Sequence, residues 1–299
     1  MKISLVHASY KSSWISLKVR NRWLEFASSP EKIEHCLGFE ENDESILGAY
    51  GVIKSTKTGF SSDGLTKFST TKKESTPSAI RNWNAAASLA SGEILVVIAD
   101  DLIPEPGWDL EISKLTNFNP NEHSRIWKVT DYRCSKKHEY PNGDVFLPRH
   151  PIITRHFYTQ NNFIFDPRFL GVGVDDHLLL SGLQKNIFFD ARHIKLHHSI
   201  GPIFDTNMET ICGCSASDNS VVINQTESQL RIHTSKVQAE QILSSQWSPF
   251  EIWTRNLLCD PIFAKFSVSV RENQLIVLKR KTTLIFLFIL FKTRLFLRF

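Results

Sequence analysis

Six consecutive apolar residues, Ile94 to Ala99, run without polar interruption into two adjacent carboxylates, Asp100 and Asp101. An unalternating apolar run of this length describes a strand buried on both faces, the habit of parallel sheets covered by helices. Such strands deliver their last residues to the carboxyl edge of the sheet, where open α/β folds receive ligands. The plain reading of the acids is a capped turn, with Pro104 and Pro106 ending the strand. The alternative is a hard divalent cation that offsets their mutual repulsion and completes its shell with phosphate oxygens and water.

The flanking chain extends this α/β pattern. Ile3 to Val6 predicts a first strand ending at His7-Ala8-Ser9-Tyr10, where small and polar residues let a ligand approach; Ser13 is the candidate cap of the helix that follows. Ile33 to Phe39 predicts a second strand that ends in Glu40-Glu41-Asn42-Asp43-Glu44, either a solvated loop or a carboxylate aimed at a base or ribose. A short strand is expected at Ala49–Ile53, then a mobile polar loop from Ser55 to Ser75. Thr76-Pro77 predicts a helix start and Ser91-Gly92 its stop, with Ile80, Trp83, Ala87 and Ala90 along one face.

Composition restricts the classes. At 299 residues the chain has room for one large domain with an extension. A net charge of +4 suits a phosphorylated ligand or an anionic membrane surface without calling for nucleic acid. The odd count of five cysteines, none in a CxxC pair, argues against a disulfide framework and for a reducing compartment. The run Ile3–Val6 is too short for a secretory leader, so a cytoplasmic protein is expected.

The stretch Asn84-Ala85-Ala86-Ala87-Ser88-Leu89-Ala90-Ser91-Gly92-Glu93 with the strand and acids after it resembles the segment of family-two glycosyltransferases, of GT-A fold, in which an Asn-led helix leads through Ala-x-Gly-Asp/Glu and a buried strand to a metal-binding Asp-x-Asp. Pro104, Pro106 and Trp108 continue the likeness. The pattern departs at Ile98, where the family's first acid would fall, and at Trp83, where a basic residue commonly precedes the Asn, although Arg81 lies nearby. Phe165-Asp166-Pro167-Arg168-Phe169-Leu170-Gly171-Val172-Gly173-Val174-Asp175-Asp176 resembles the family's acceptor-side signature, a Gly-rich loop leading to paired acids at a helix start. Read without the likeness, Asp175 is an N-cap and Asp176 a first-turn acid.

The resemblance implies a single α/β GT-A-like domain over residues 1–213, with a Rossmann-type, mostly parallel sheet flanked by helices; apolar spacing beyond it predicts a helical extension over 214–299. It implies a nucleotide-diphosphate sugar donor contacted by Ala8, Ser9, Glu40, Asp43, Arg81, Asn84 and Asp100. It implies Mn²⁺ or Mg²⁺ at Asp100 and Asp101, with His197 or His198 brought in late. Asp176 is the expected general base, supported by Asp175, and the acceptor is the hydroxyl of a glycan or glycolipid. The alternative is a catalytically weak module that retains a nucleotide or glycan pocket. A nucleotidyltransferase is disfavoured, since no Gly-rich basic loop follows the first strand. A zinc site from His193 and His197, read as one helical turn apart, with Cys212 and Cys214 is disfavoured by the Cys-x-Cys spacing. Gln229–Trp247 has helical apolar spacing. Leu284 to Phe291, flanked by Lys and Arg, is too short to span a bilayer of roughly 30 Å, so residues 279–299 are expected either to pack as a final element or to lie on an anionic membrane surface.

Overall fold

The computed structural model describes residues 1–52, 56–74, 77–133 and 147–198, together with 237, 239, 241–243 and 245–246 of a later helix. All of them belong to one compact unit, Met1–Phe266. Chain order gives β1 (Ile3–Ala8), α1 (Ser13–Glu25), β2 (Ile33–Glu40), α2 (Glu44–Ala49), β3 (Thr58–Phe60), β4 (Thr66–Thr71), α3 (Ala79–Ala87), β5 (Ile94–Ala99) and β6 (Leu102–Pro104). Then follow α4 (Trp108–Lys114), β7 (Ile126–Arg133), β8 (Ile152–Thr154), α5 (Arg155–Asn161), α6 (Val174–Gln184) and β9 (Phe188–His198).

Among the described residues the strands form one sheet in the order β3-β4-β2-β1-β5-β8-β7-β9-β6. Its centre, β4-β2-β1-β5, is parallel, with Ile3 opposite both Ile33 and Ile94. The buried strand read from sequence is β5, and side-chain alternation divides it between two cores. Leu95 and Val97 join Val6, Cys36, Ile80, Ala86 and Ala87 on the face covered by α3, α5 and α6. Ile94, Val96 and Ile98 join Ile3, Leu5, Val19, Trp23, Trp108 and Ile112 on the face covered by α1 and α4. Each such side chain stabilises the fold by about 1.5–3 kcal/mol relative to exposure, which is why an unalternating strand belongs in the middle of the sheet.

Two local expectations are corrected. Over 49–52, the described part of the strand expected at Ala49–Ile53, the chain is the end of α2 and a turn, since the Asp43 side chain accepts from Ile46 N at 3.3 Å and nucleates a helix. The loop expected over Ser55–Ser75 contains β3 and β4; Thr66, Phe68 and Ser69 are buried on β4 as it pairs with β2. Helix α3 starts at Ala79 with Ser78 as its cap, not at Thr76, which lies outside the described residues, and it ends at Ala87, before Ser91. The proposed boundary at 213/214, Cys212, Cys214 and the tail 279–299 also lie outside the described residues. The described positions between 237 and 246 are helical, and Ala239 packs against the α3–α6 core.

Candidate active site

The carboxyl edges of β1, β2 and β5 meet in one place. Parallel register sets Ala8 beside Gly38 on one side and Ala99 on the other, so Ser9, Glu40 and Asp100 follow at neighbouring strand ends. Asp100 accepts from Ser9 Oγ at 2.9 Å through Oδ2, and its Oδ1 lies 3.0 Å from His7 Nε2. Ser9 N donates to Gly38 O at 3.0 Å, joining the ends of β1 and β2.

Glu40 is buried, 3.6 Å from Arg81 Nη2, and its Oε1 has no hydrogen-bond partner among the described residues. Burial raises its pKa, against the pull of Arg81. Arg81 pairs at its other end with Glu74. Asp43 is occupied locally: it caps α2 and accepts from Lys11 N at 2.8 Å, pinning the loop after β1.

Helix α3 ties the two informative stretches together. Its Asn84 accepts from Ile164 N at 3.0 Å and Phe165 N at 3.2 Å and donates to Phe165 O at 2.7 Å. The amide named as a nucleotide-sugar contact therefore clamps the start of the acceptor-side loop. Ser78 Oγ donates to Leu170 O at 3.2 Å, and Trp83 Nε1 donates to Ile98 O at 2.7 Å. Asn82, which sequence reasoning passed over, is buried and bridges strand ends: it donates to Ser9 O at 3.2 Å and accepts from Thr71 Oγ1 at 2.8 Å.

The paired acids open α6 as expected, after Gly173 at φ +85°. Asp176 is buried and Asp175 half-buried, so neither acid stands open to solvent, and Asp176 is the base expected from its place in the motif. Burial and the adjacent Asp176 carboxylate push Asp175 up to about 6. Asp166 is held below the usual carboxylate range despite burial by its bonds to Arg168, the Nε contacts being 2.9 and 3.1 Å. Nearby, Asp131 at the end of β7 is fully buried between Lys128 Nζ at 2.6 Å and His150 Nδ1 at 3.1 Å, with Arg149 Nε at 3.6 Å.

The late histidines lie on a strand, which removes the helical-turn reading of His193 and His197: four residues of strand separate them by ~13 Å, too far for one zinc. Pairing of β9 with β6 sets His198 opposite Leu102 and His197 opposite Ile103, directly after Asp100-Asp101. His197 Nε2 is 3.2 Å from Glu105 Oε1. Among the described residues no group of three or more His, Cys, Asp or Glu gathers as a metal cage. The donor set at Asp100 and Asp101 fits a hard cation that brings most of its own oxygens: among the described residues His7 Nε2 meets Asp100 Oδ1 and Ser9 Oγ donates to Oδ2, and each oxygen retains further acceptor capacity.

The sheet order, the doubly buried β5 and the acids at its edge define a GT-A-like α/β fold. Solved structures match it, among them the following two. Staphylococcus aureus TarS aligns with TM-score 0.51 and 13% identity over 90% of this chain. The mannosyltransferase PcManGT of Pyrobaculum calidifontis, in complex with GDP-Man and Mn²⁺, aligns with TM-score 0.51 and 9% identity over 96% of this chain and 80% of its own. The chain spans 44% of the length of TarS. No family model and no curated protein matches the sequence.

Proposed function

We propose that the chain is a glycosyltransferase that moves a sugar from a nucleotide-diphosphate donor to the hydroxyl of a glycan or glycolipid, with inversion and with Mn²⁺ or Mg²⁺ at the diphosphate. The observation that carries the reading is the convergence of Ser9, Glu40 and Asp100 on one parallel edge, with α3 and its cap linking that edge to the loop that leads to the Asp175–Asp176 pair. Support comes also from the GT-A-like fold and from the GDP-Man and Mn²⁺ bound by PcManGT.

In this reading Ala8 and Ser9 border the nucleotide, and Glu40, Asp43 and Arg81 flank its base and ribose. Asn84 contributes by holding the acceptor-side loop. Asp100 and Asp101 would hold the metal, with His197 or His198 beside it. When bound, the metal neutralises charge growing on the leaving diphosphate. The acceptor oxygen forms a bond to the anomeric carbon as the carbon–diphosphate oxygen bond breaks, and the acceptor's proton passes to the Asp175–Asp176 pair. Two coupled carboxylates take up that proton as a unit. Residues 1–213 form the catalytic unit in this proposal, 214–299 an extension, and 279–299 a peripheral contact with the inner face of a membrane. Among the described residues no helix is long and apolar enough to cross a membrane.

The test is thermal-shift titration with UDP and GDP, with and without Mn²⁺, followed by donor hydrolysis. Metal-dependent stabilisation is expected, with activity lost in Asp100→Asn and in Asp176→Asn. Retained hydrolysis in both variants removes the enzymatic assignment. Binding without turnover would instead favour a nucleotide-binding module, a reading motivated by the apolar Ile98. Liposome binding unchanged by deletion of 279–299 would remove the membrane contact.

A further inference from the structure

Behind Asp100 lies a chain of buried polar groups that the proposed reaction does not use. His7 and His35, from adjacent strands, are 0% and 1% exposed, with His7 Nδ1 3.0 Å from His35 Nε2. His35 Nδ1 lies 3.0 Å from Thr66 Oγ1 on β4, and that oxygen accepts from Arg20 Nη1 at 3.0 Å. Arg20 is itself buried and pairs with the exposed Asp63 at 2.8 Å. The Tyr50 ring stacks on His35, 9° from parallel, and fixes its plane.

Donor and acceptor arithmetic gives this chain a direction. Arg20 only donates and an ionised Asp100 only accepts. The proton on His7 therefore sits on Nε2, facing Asp100, and a neutral His7 leaves Nδ1 bare. His35 must then carry its proton on Nε2, which leaves its Nδ1 to accept the Thr66 hydroxyl. Every ring nitrogen is satisfied with both imidazoles uncharged, and no hydrogen is left over. Burial depresses the His35 pKa well below the ordinary value, which agrees with an uncharged His35 ring. A Lys or Arg at position 7 would hold Asp100 equally well but would cancel the charge a cation needs. Here the buried positive charge stays at the far end, against Asp63.

We infer that His7 and His35 are positioning residues: a one-way hydrogen-bond chain from Arg20 through Thr66 locks His7 as its Nε2–H tautomer and so holds the Asp100 carboxylate in place while leaving its charge free. This rests on the reading of Asp100 as the diphosphate–metal carboxylate.

Two measurements test it on the full-length protein. Two-bond ¹H–¹⁵N correlation spectra of His-labelled protein should show both rings uncharged and protonated on Nε2; a His7 protonated on Nδ1, or on both nitrogens, overturns the inference. Thr66→Val removes the hydroxyl two histidines away from Asp100. It should weaken Mn²⁺-dependent UDP or GDP binding about 3- to 10-fold, the loss of roughly one net hydrogen bond, while Thr66→Ser restores it. A Thr66→Val protein that melts cooperatively and binds as tightly as wild type also overturns the inference. If wild type binds neither nucleotide under any metal condition, the glycosyltransferase reading fails and this role falls with it. Wild-type binding with an indifferent Thr66→Val variant defeats the relay alone.

Discussion

Gly38→Ala tests the packing that builds the candidate site. A Cβ at Gly38 would lie 1.9 Å from the main-chain oxygen of Asn82, 2.7 Å from its carbonyl carbon and 3.1 Å from Ala86 N. Ordinary contact needs about 3.5 Å, so α3 must retreat by roughly 1.6 Å; a helix backbone cannot swing aside as a side chain does. Overpacking of this kind costs about 1–3 kcal/mol. The retreat also stretches the bonds from Asn82 to Ser9 O and from Thr71 to Asn82, each worth about 1 kcal/mol net. The expected loss is about 2–5 kcal/mol, a large share of the 5–15 kcal/mol typical of a domain. Urea unfolding should show a lower midpoint at unchanged slope, and nucleotide affinity should fall with it, because Ser9 borders the proposed donor. A midpoint shift worth less than about 0.5 kcal/mol would refute the argument that α3 is seated against β2 by the missing side chain.

Three further outcomes follow from named groups. Burial works to raise the Glu34 pKa, but bonds from Lys67, Ser4, the Ser91 backbone and Lys2 outweigh it and hold the carboxylate well below its usual range. Since the folded value is depressed, its stabilisation is complete above the unfolded value of about 4.3 and is lost as pH falls toward the folded one. Glu34→Gln should destabilise the protein at pH 7 and flatten the acid limb of stability measured by denaturant titration between pH 5 and pH 2. Lys128→Met strips Asp131 of its closest cation while the carboxylate stays fully buried, so a loss of about 3–5 kcal/mol is expected in chemical unfolding; Lys128→Met combined with Asp131→Leu should recover part of it. For the proposed reaction, a base must be unprotonated to act, and Asp175 is raised to about 6. Donor-to-acceptor transfer should therefore rise with pH through about 6 and level off above it, and Asp175→Asn should move or abolish that limb; a rate flat between pH 5 and pH 7.5 contradicts a base at this pair.

What could be read from sequence was whatever a segment settles by itself. β5 announced its double burial because six apolar residues leave no polar face, and α6 announced its start because two acids follow a glycine that sits at positive φ. β4 was missed for the opposite reason: Thr66-Lys67-Phe68-Ser69-Thr70-Thr71 is as polar as a loop, and only pairing with β2 gives its alternation meaning. The Ala49–Ile53 stretch was misread since β-branched residues outweighed a cap that lies six residues earlier, at Asp43. His7, His35 and Thr66 were illegible as a group because they stand on three strands and meet only through register.

Ile98 shows how such register changes the meaning of a sequence departure. Its side chain is fully buried in the apolar cluster of Val19, Trp23 and Trp108, and its carbonyl accepts from Trp83. An acid at that position would be driven into this core unpaired, at a cost of several kcal/mol. The position is therefore not a vacant ligand in an otherwise unchanged site. The core extends up to it, and Asp100 draws its support sideways, from Ser9 and His7 at the end of β1. A metal or diphosphate at this edge would be gripped by a carboxylate whose orientation depends on Ser9 and His7 rather than on an acid two residues back along the strand. Ile98→Asp should accordingly lower stability without increasing Mn²⁺ affinity, whereas loss of the His7 ring should lower Mn²⁺ affinity directly; an Ile98→Asp protein that folds normally and binds Mn²⁺ more tightly would show that the position still faces the ligand.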